Sequence, residues 1–348
     1  MELLRKLVEM SGVSGHEERI RELVISELKP LVDDIRTDQM GNVVGFKRGV
    51  GREPKGGRKK LMLAGHMDEI GFIVSYIDDK GFLRIHGLGG WDPRTLIAQR
   101  VIVHGRRDLP GVIGSKPIHI LTEEEKKKTL EIKDYFIDLG LPKDEVVTLV
   151  DIGDPVTMFR RMEVIGNCLT CKTFDDRVGV YCMIEAVRKA KKSPADLYIV
   201  ASTQEEIGLR GAVAASTGIE PDVGIALDVT LANDVPGAEG QDEVSHLGLG
   251  TSISVLNGSH ISNPKLFGRF VELAEKKKIK YQRDVLPRGG TDAGAIQRAK
   301  GGPAVITISI PCRYVHSTVE MVHKDDVKAT IDLVAAYIAE PGDMDYRL

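Results

Sequence analysis

The chain has 348 residues and a formal net charge of −3, long enough for one large core or two domains. So even a balance of charge provides no basic field for nucleic acid, and no run approaches the roughly 20 apolar residues of a membrane-spanning helix. Charged residues interrupt Met1 to Leu7, so the start lacks the apolar stretch of a secretion signal and the expected location is the cytoplasm.

Glu2 to Met10 reads as an amphipathic helix, followed by a second helix with apolar Ile20, Leu23, Ile25 and Leu28 and with Ser14 and Glu17 spaced as a capping box. Val43 to Phe46 reads as an early strand and the Gly-rich, basic stretch Lys47 to Lys60 as a surface loop. An apolar run to Ala64 reads as a buried strand, and just past its end stand His66 and Asp68. Two positions apart on extended backbone, their side chains leave the same face, which brings Asp68 near His66.

From about Gly71 to Gly166 the texture changes to short β-type runs, such as Phe72-Ile73-Val74 and Phe82-Leu83-Arg84-Ile85, separated by turns such as Asp78-Asp79-Lys80-Gly81. This spacing predicts a small β-barrel or sandwich at 71–166, inserted into a larger unit made of residues 1–70 and 167–348. Within it, Thr122 to Asp134 carries three Glu followed by three Lys and reads as a short solvated helix or a loop. Cys168 and Cys171 form a Cys-x-x-Cys, but Cys182 and Cys312 stand alone, so a zinc knuckle lacks its second pair and small buried side chains are expected instead.

After Asp175-Asp176 the apolar spacing turns helical through Val180, Met183, Val187 and Ala190, which puts Asp175 at a helix N-terminus, where the dipole favours an anion. The next apolar run, Leu197 to Ala201, gives way to Ser202-Thr203-Gln204-Glu205-Glu206-Ile207-Gly208. Adjacent side chains on extended backbone point apart, so the acid pair suits two tasks, one carboxylate on a metal and its neighbour on a proton. Two further runs, Val223 to Leu227 and Ala304 to Ile310, lead to Asp228 and His316.

Open α/β sheets place their sites at the carboxyl ends of strands, so chain order gathers His66, Asp175, the Glu pair, Asp228 and His316 into one crevice. Burying so many unpaired anions costs several kcal/mol each, and divalent cations remove the conflict. Imidazoles with carboxylates suit zinc, cobalt or manganese better than calcium or magnesium, and five ligands exceed the need of one tetrahedral zinc. The expected centre is therefore dinuclear, with one bridging carboxylate. The other histidines, His16, His86, His104, His119, His246, His260 and His323, lie outside these motifs and read as surface or structural.

The ordered motifs His66-x-Asp68, Asp175-Asp176-Arg177-x-Gly179, Glu205-Glu206-x-Gly208, Asp228-Val229-Thr230, Gly289-Gly290-Thr291-Asp292-Ala293 and Arg313-Tyr314-x-His316-Ser317 resemble those of the dinuclear metal aminopeptidases of the TET and glutamyl-aminopeptidase family. The resemblance extends from Val13-Ser14-Gly15 and Gly41-Asn42 to the C-terminal helix. It implies an α/β fold of the zinc-peptidase type, a mixed central sheet flanked by helices, with the inserted β-barrel acting as a dimerisation domain. It further implies His66 and Asp228 on one metal, Glu206 and His316 on the other, Asp175 bridging, Glu205 as general base and Asp68 as the partner of His66. The implied cofactors are two divalent ions per subunit, zinc or cobalt. The implied partners are peptides and further copies of the chain, as dimers or twelve-subunit particles, with no nucleic acid or membrane.

The expected reaction is removal of N-terminal residues from peptides by metal-activated water. Arg288 and Asp292, beside the Gly289-Gly290 turn, are candidates for substrate contact. Arg288 could hold a substrate carboxylate, which would suit a deacylase or carboxypeptidase on the same scaffold, or could favour acidic N-terminal residues. Relatives sometimes carry an endoglucanase label, but glycoside hydrolysis needs two carboxyls facing across a bond at about 5–9.5 Å, and the Glu pair points apart. A catalytically idle assembly protein would not need every one of these positions.

Overall fold

The computed structural model describes residues 1–348. Helices α1 (Glu2–Glu9) and α2 (Glu18–Leu28) precede strands β1 (Asp34–Thr37), β2 (Val43–Lys47) and β3 (Lys60–His66). The chain then leaves for six strands, β4 (Gly71–Ile77), β5 (Leu83–Leu88), β6 (Arg100–His104), β7 (Asp108–Gly114), β8 (Phe136–Asp138) and β9 (Pro155–Met158). These close a barrel in the order β4-β5-β8-β7-β6-β9, with α3 (Glu123–Lys126) and α4 (Lys143–Leu149) in its connections. Its core, built on Phe72, Val74, Leu83, Val101, Val103, Ile137 and Val156, is separate from that of the rest of the chain.

Strands β10 (Glu163–Ile165) and β11 (Cys168–Cys171) return to the first sheet. There follow α5 (Phe174–Ala190), β12 (Asp196–Ser202), α6 (Arg210–Ile219), β13 (Val223–Leu231), β14 (Thr251–Asn257) and α7 (Pro264–Lys277). The chain ends with β15 (Tyr281–Leu286), α8 (Asp292–Gln297), β16 (Ala304–Arg313), β17 (Glu320–His323) and α9 (Lys324–Ala339). The sheet runs β1-β2-β12-β3-β13-β16-β17-β11-β10, with β14 pairing β15 and β16. Its centre, β12-β3-β13-β16, is parallel, and antiparallel strands flank it, so the sheet is mixed as expected.

The central strands are buried and mainly apolar because both faces are covered, with His66 and Asp228 at or towards the carboxyl ends of β3 and β13. In β3, Leu61 and Leu63 enter the core shared with α1, α5, α7 and α9, while Met62 and Ala64 face Ala215 and Ile219 of α6 and Ala293 and Ile296 of α8. No helix is long and apolar enough to cross a membrane.

Two local expectations fail. Ser14 and Glu17 form no capping box; α2 begins at Glu18, and its N-cap residue Glu17 makes no side-chain bond to the helix. Ser14 Oγ instead donates to Asp68 Oδ2 at 2.6 Å, a charge-assisted bond to a buried carboxylate. The Glu pair, in turn, is not on extended backbone. β12 ends at Ser202, and Gln204 takes a left-handed φ of 54°, so a loop rather than strand alternation aims the two side chains. Between Thr122 and Asp134 a short helix does form, with Thr122 and Glu125 as a reciprocal capping box.

Candidate active site

Parallel register brings the site together. Ser202 of β12 lies opposite His66 of β3, and Ala226 of β13 opposite Ala64, so Asp228 two residues on reaches the level of His66. Asp175 enters from the first turn of α5, where it and Asp176 have non-helical dihedrals, and His316 from the loop after β16. All five expected ligands, together with Glu205, line one cavity of about 450 Å³ at the carboxyl ends of the strands.

Asp175 is the centre of the geometry. Its Oδ1 lies 2.9 Å from His66 Nε2 and its Oδ2 3.4 Å from His316 Nε2, so each carboxylate oxygen faces one imidazole. Ligand atoms of His66, Asp175 and Asp228 lie within 4.8 Å of one another, as do those of Asp175, Glu206 and His316. The two groups share only Asp175. Glu206 Oε2 is 3.3 Å from His316 Nε2, whereas Glu205 Oε2 is 3.8 Å from His66 Nε2, so the adjacent acids address different imidazoles.

Electrostatics shows how strongly the charged groups of this cluster act on one another. Burial pushes Glu206 up to about 8, and Asp175 beside it adds to the shift. Burial likewise raises Glu205, with Asp228, Glu206 and Asp292 contributing, and raises Asp228, with Asp175 and Asp292 contributing. Among the expected ligands, only Asp175 is held below the usual carboxylate range, because His316 and His66 outweigh its burial. For the imidazoles, burial acts to lower the pKa, but Glu205 and Asp175 at His66, and Glu206 and Asp175 at His316, reverse the effect. Glu206 Oε1 is buried without a hydrogen-bond partner.

The residues present fit divalent metal. Two atoms bound to one ion at ~2.0–2.2 Å with tetrahedral angles are ~3.4 Å apart. The spacings around His316, 3.3 Å to Glu206 and 3.4 Å to Asp175, match that value. The unpartnered Glu206 oxygen and the mixed imidazole and carboxylate donors point the same way.

Asp68 does more than flank His66. His66 Nδ1 lies 3.1 Å from the Asp68 carbonyl oxygen and 3.4 Å from its Oδ1, which suits Nε2 as the metal-facing nitrogen. The same carboxylate accepts the backbone N–H groups of Glu205 at 3.0 Å and Glu206 at 3.2 Å.

Two acids to which the sequence reading gave no role also brace the ligands. Asp176 accepts from the backbone N–H of His66 at 3.1 Å and of Gly179 at 3.0 Å, and a Cβ at position 179 would collide with that carboxylate, so the motif requires glycine there. Glu320 Oε2 accepts the Asp175 N–H at 2.8 Å and Oε1 the His316 N–H at 3.3 Å, joining two ligands through one side chain. The available signal was a single acid in the otherwise apolar start of β17, four residues after His316.

Arg288 is exposed on the cavity wall, alongside Gly289 and Gly290 and facing an apolar lining that includes Leu209, Val229, Leu231, Leu286 and Val315. Asp292 is not on that wall. It is 2% exposed at the start of α8 and accepts a hydrogen bond from Ser202 beneath the site.

A family profile described as M42 glutamyl aminopeptidase matches residues 41–333. Among curated proteins, the lysyl aminopeptidase of Pyrococcus furiosus is 39% identical over 99% of this chain and 98% of its own. Among solved structures, an aminopeptidase of the archaeon Desulfurococcus kamchatkensis superposes with a TM-score of 0.92 at 42% identity, covering 97% of this chain and 94% of that one. The TET1 peptidase of Pyrococcus horikoshii, described as assembling into a tetrahedron or a large octahedral shell, does so with a TM-score of 0.85 at 32% identity, covering 97% and 99%.

Proposed function

Since this chain belongs to the M42 glutamyl aminopeptidase family and is an aminopeptidase, a hydrolase of peptide bonds, we propose that it works through a dinuclear centre held by His66, Asp228, Glu206 and His316 with Asp175 between them. The observation that carries this reading is the carboxylate of Asp175, whose two oxygens face two different imidazoles. Bound there, two divalent ions, zinc or cobalt on the chemistry of the donors, would polarise the scissile carbonyl and acidify the attacking water. Glu205, which no ligand group requires, accepts the proton of that water and returns it to the leaving amine. The anionic wall of the cavity favours the free α-amine that only an N-terminal residue carries, and Arg288 across the cavity contacts the substrate with its unpaired guanidinium. The expected location remains the cytoplasm.

Chelation tests the cofactor. A chelator is expected to abolish peptide hydrolysis while the circular dichroism spectrum stays unchanged, and zinc or cobalt to restore activity at two equivalents per chain. Turnover by protein shown to be metal-free would overturn the reading.

Self-association follows from the barrel. Val112, Ile152 and Phe159 are each at least 45% exposed on or beside its strands, an apolar surface that a second copy can cover. We expect a homo-oligomer whose contacts include the inserted residues 71–166. Replacing that segment with a short linker should reduce the mass measured by light scattering, and an unchanged assembly size would place the contacts elsewhere.

A further inference from the structure

Beyond Ser202 the chain leaves the sheet, yet the backbone donors of the next four residues all have partners, and every partner is a side chain from another segment. Thr203 N–H donates to Asn42 Oδ1 at 2.9 Å and Gln204 N–H to Glu17 Oε1 at 3.2 Å. Glu205 and Glu206 N–H donate to the two oxygens of Asp68 at 3.0 and 3.2 Å. With Gln204 in the left-handed region, which a residue with a Cβ seldom adopts, this loop conformation depends on those partners. It is the conformation that sends Glu205 towards His66 and Glu206 towards His316.

Glu17 is the least expected of the three. A glutamate at a helix start usually serves the helix or the solvent, but Glu17 is 2% exposed and makes no capping bond to α2. Its Oε1 takes only the N–H groups of Gly15, at 2.7 Å, and Gln204. The segment carrying it is fixed along its length. Fully buried Arg177 donates to the carbonyls of Leu7, Met10 and Gly12, Glu69 accepts from Gly12 N–H at 2.9 Å, and Ser14 donates to Asp68. Gly12 to Glu17 is therefore a rigid strap that delivers one acceptor to the N–H of Gln204, the residue before Glu205.

We propose that Glu17 is a positioning residue for the reaction, fixing the Gln204 peptide and so the angle at which Glu205 meets the attacking water. The proposal rests on the reading of Glu205 as general base. A shift of Gln204 swings the Glu205 side chain, and misplacing a reacting group by about 1 Å can cost on the order of 10²-fold in rate. Four of the five metal ligands stand on other segments, and Glu206, one residue further from Gln204 than Glu205, keeps its own bond to Asp68, so the effect belongs chiefly in kcat with little change in bound metal or KM.

The test compares Glu17→Gln, which keeps the length and the accepting oxygen, with Glu17→Asp, which keeps the charge but falls one methylene short of Gln204. With two metal equivalents confirmed in each, kcat is expected to fall about 10- to 100-fold in Glu17→Asp with KM within about two-fold, and to stay within about three-fold of the parent in Glu17→Gln. Amide exchange across residues 203–206 should be faster in Glu17→Asp only. Placed in a Glu205→Gln background, Glu17→Asp should cost less than about two-fold more, because the group it positions is already disabled. Full additivity in that double variant, an unchanged kcat in Glu17→Asp, or a Glu17→Gln variant below a tenth of parent activity each overturns the proposal, and the last of these needs only the milder variant to fold. Near-normal activity in Glu205→Gln alone is a different outcome, and it removes the general base rather than the strap.

Discussion

Glu205→Gln is expected to keep both metals and lower kcat by on the order of 10²–10⁴, the range for loss of a positioned general base. Glutamine fills the same volume, and the loop contacts are made by the backbone N–H of residue 205, which the substitution leaves in place. What disappears is a carboxylate that can take and return a proton. Burial and the neighbouring acids Asp228, Glu206 and Asp292 raise its pKa and His66 opposes them, a balance that bound cations would shift back down. The measurement pairs metal content with kcat on an aminoacyl chromogenic substrate. Loss of one full metal equivalent would reassign Glu205 as a ligand, and near-parental turnover would leave the reaction without its base.

Asp175→Asn is expected to disturb both metals together, where His66→Ala or His316→Ala weakens chiefly the one nearby. An amide offers one acceptor oxygen and no charge, so it cannot present an anionic oxygen to His66 and to His316 at once. Loss of a partner one step removed from a metal typically costs 10- to 100-fold in affinity, and loss of a shared ligand should exceed that at both positions. Titration by calorimetry, with activity followed at rising zinc, separates the cases. If Asp175→Asn binds two metals as tightly as the parent, the carboxylate does not bridge. If it loses only one, Asp175 belongs to a single ion.

The sequence was most informative where chemistry and strand pattern coincide. His66 and Asp228 each follow an apolar run, and the covered parallel strands β3 and β13 do bring them to one level. The barrel was visible as a change of texture after Gly71, since short alternating runs between turns cannot continue a buried parallel sheet. Adjacent acids that differ in direction were also legible at Glu205 and Glu206, although for the wrong local reason. Strand alternation does not separate them; a loop with left-handed Gln204 does.

Spacing and hydrophobic pattern thus determined the residue types of the centre and the β-rich insert, because ligand chemistry and hydrophobic period are carried by single positions and their neighbours, while the family and its fold came from the resemblance of the ordered motifs. The tertiary structure alone decided which atoms face each other. Ser14 looked like a helix cap and became a donor to Asp68, Glu17 left its helix for Gln204, and Glu320 joined Asp175 to His316. Each of these buried oxygens had several possible partners along the chain. Only the folded interior, where an unpaired polar group is costly and distant segments meet, selects one.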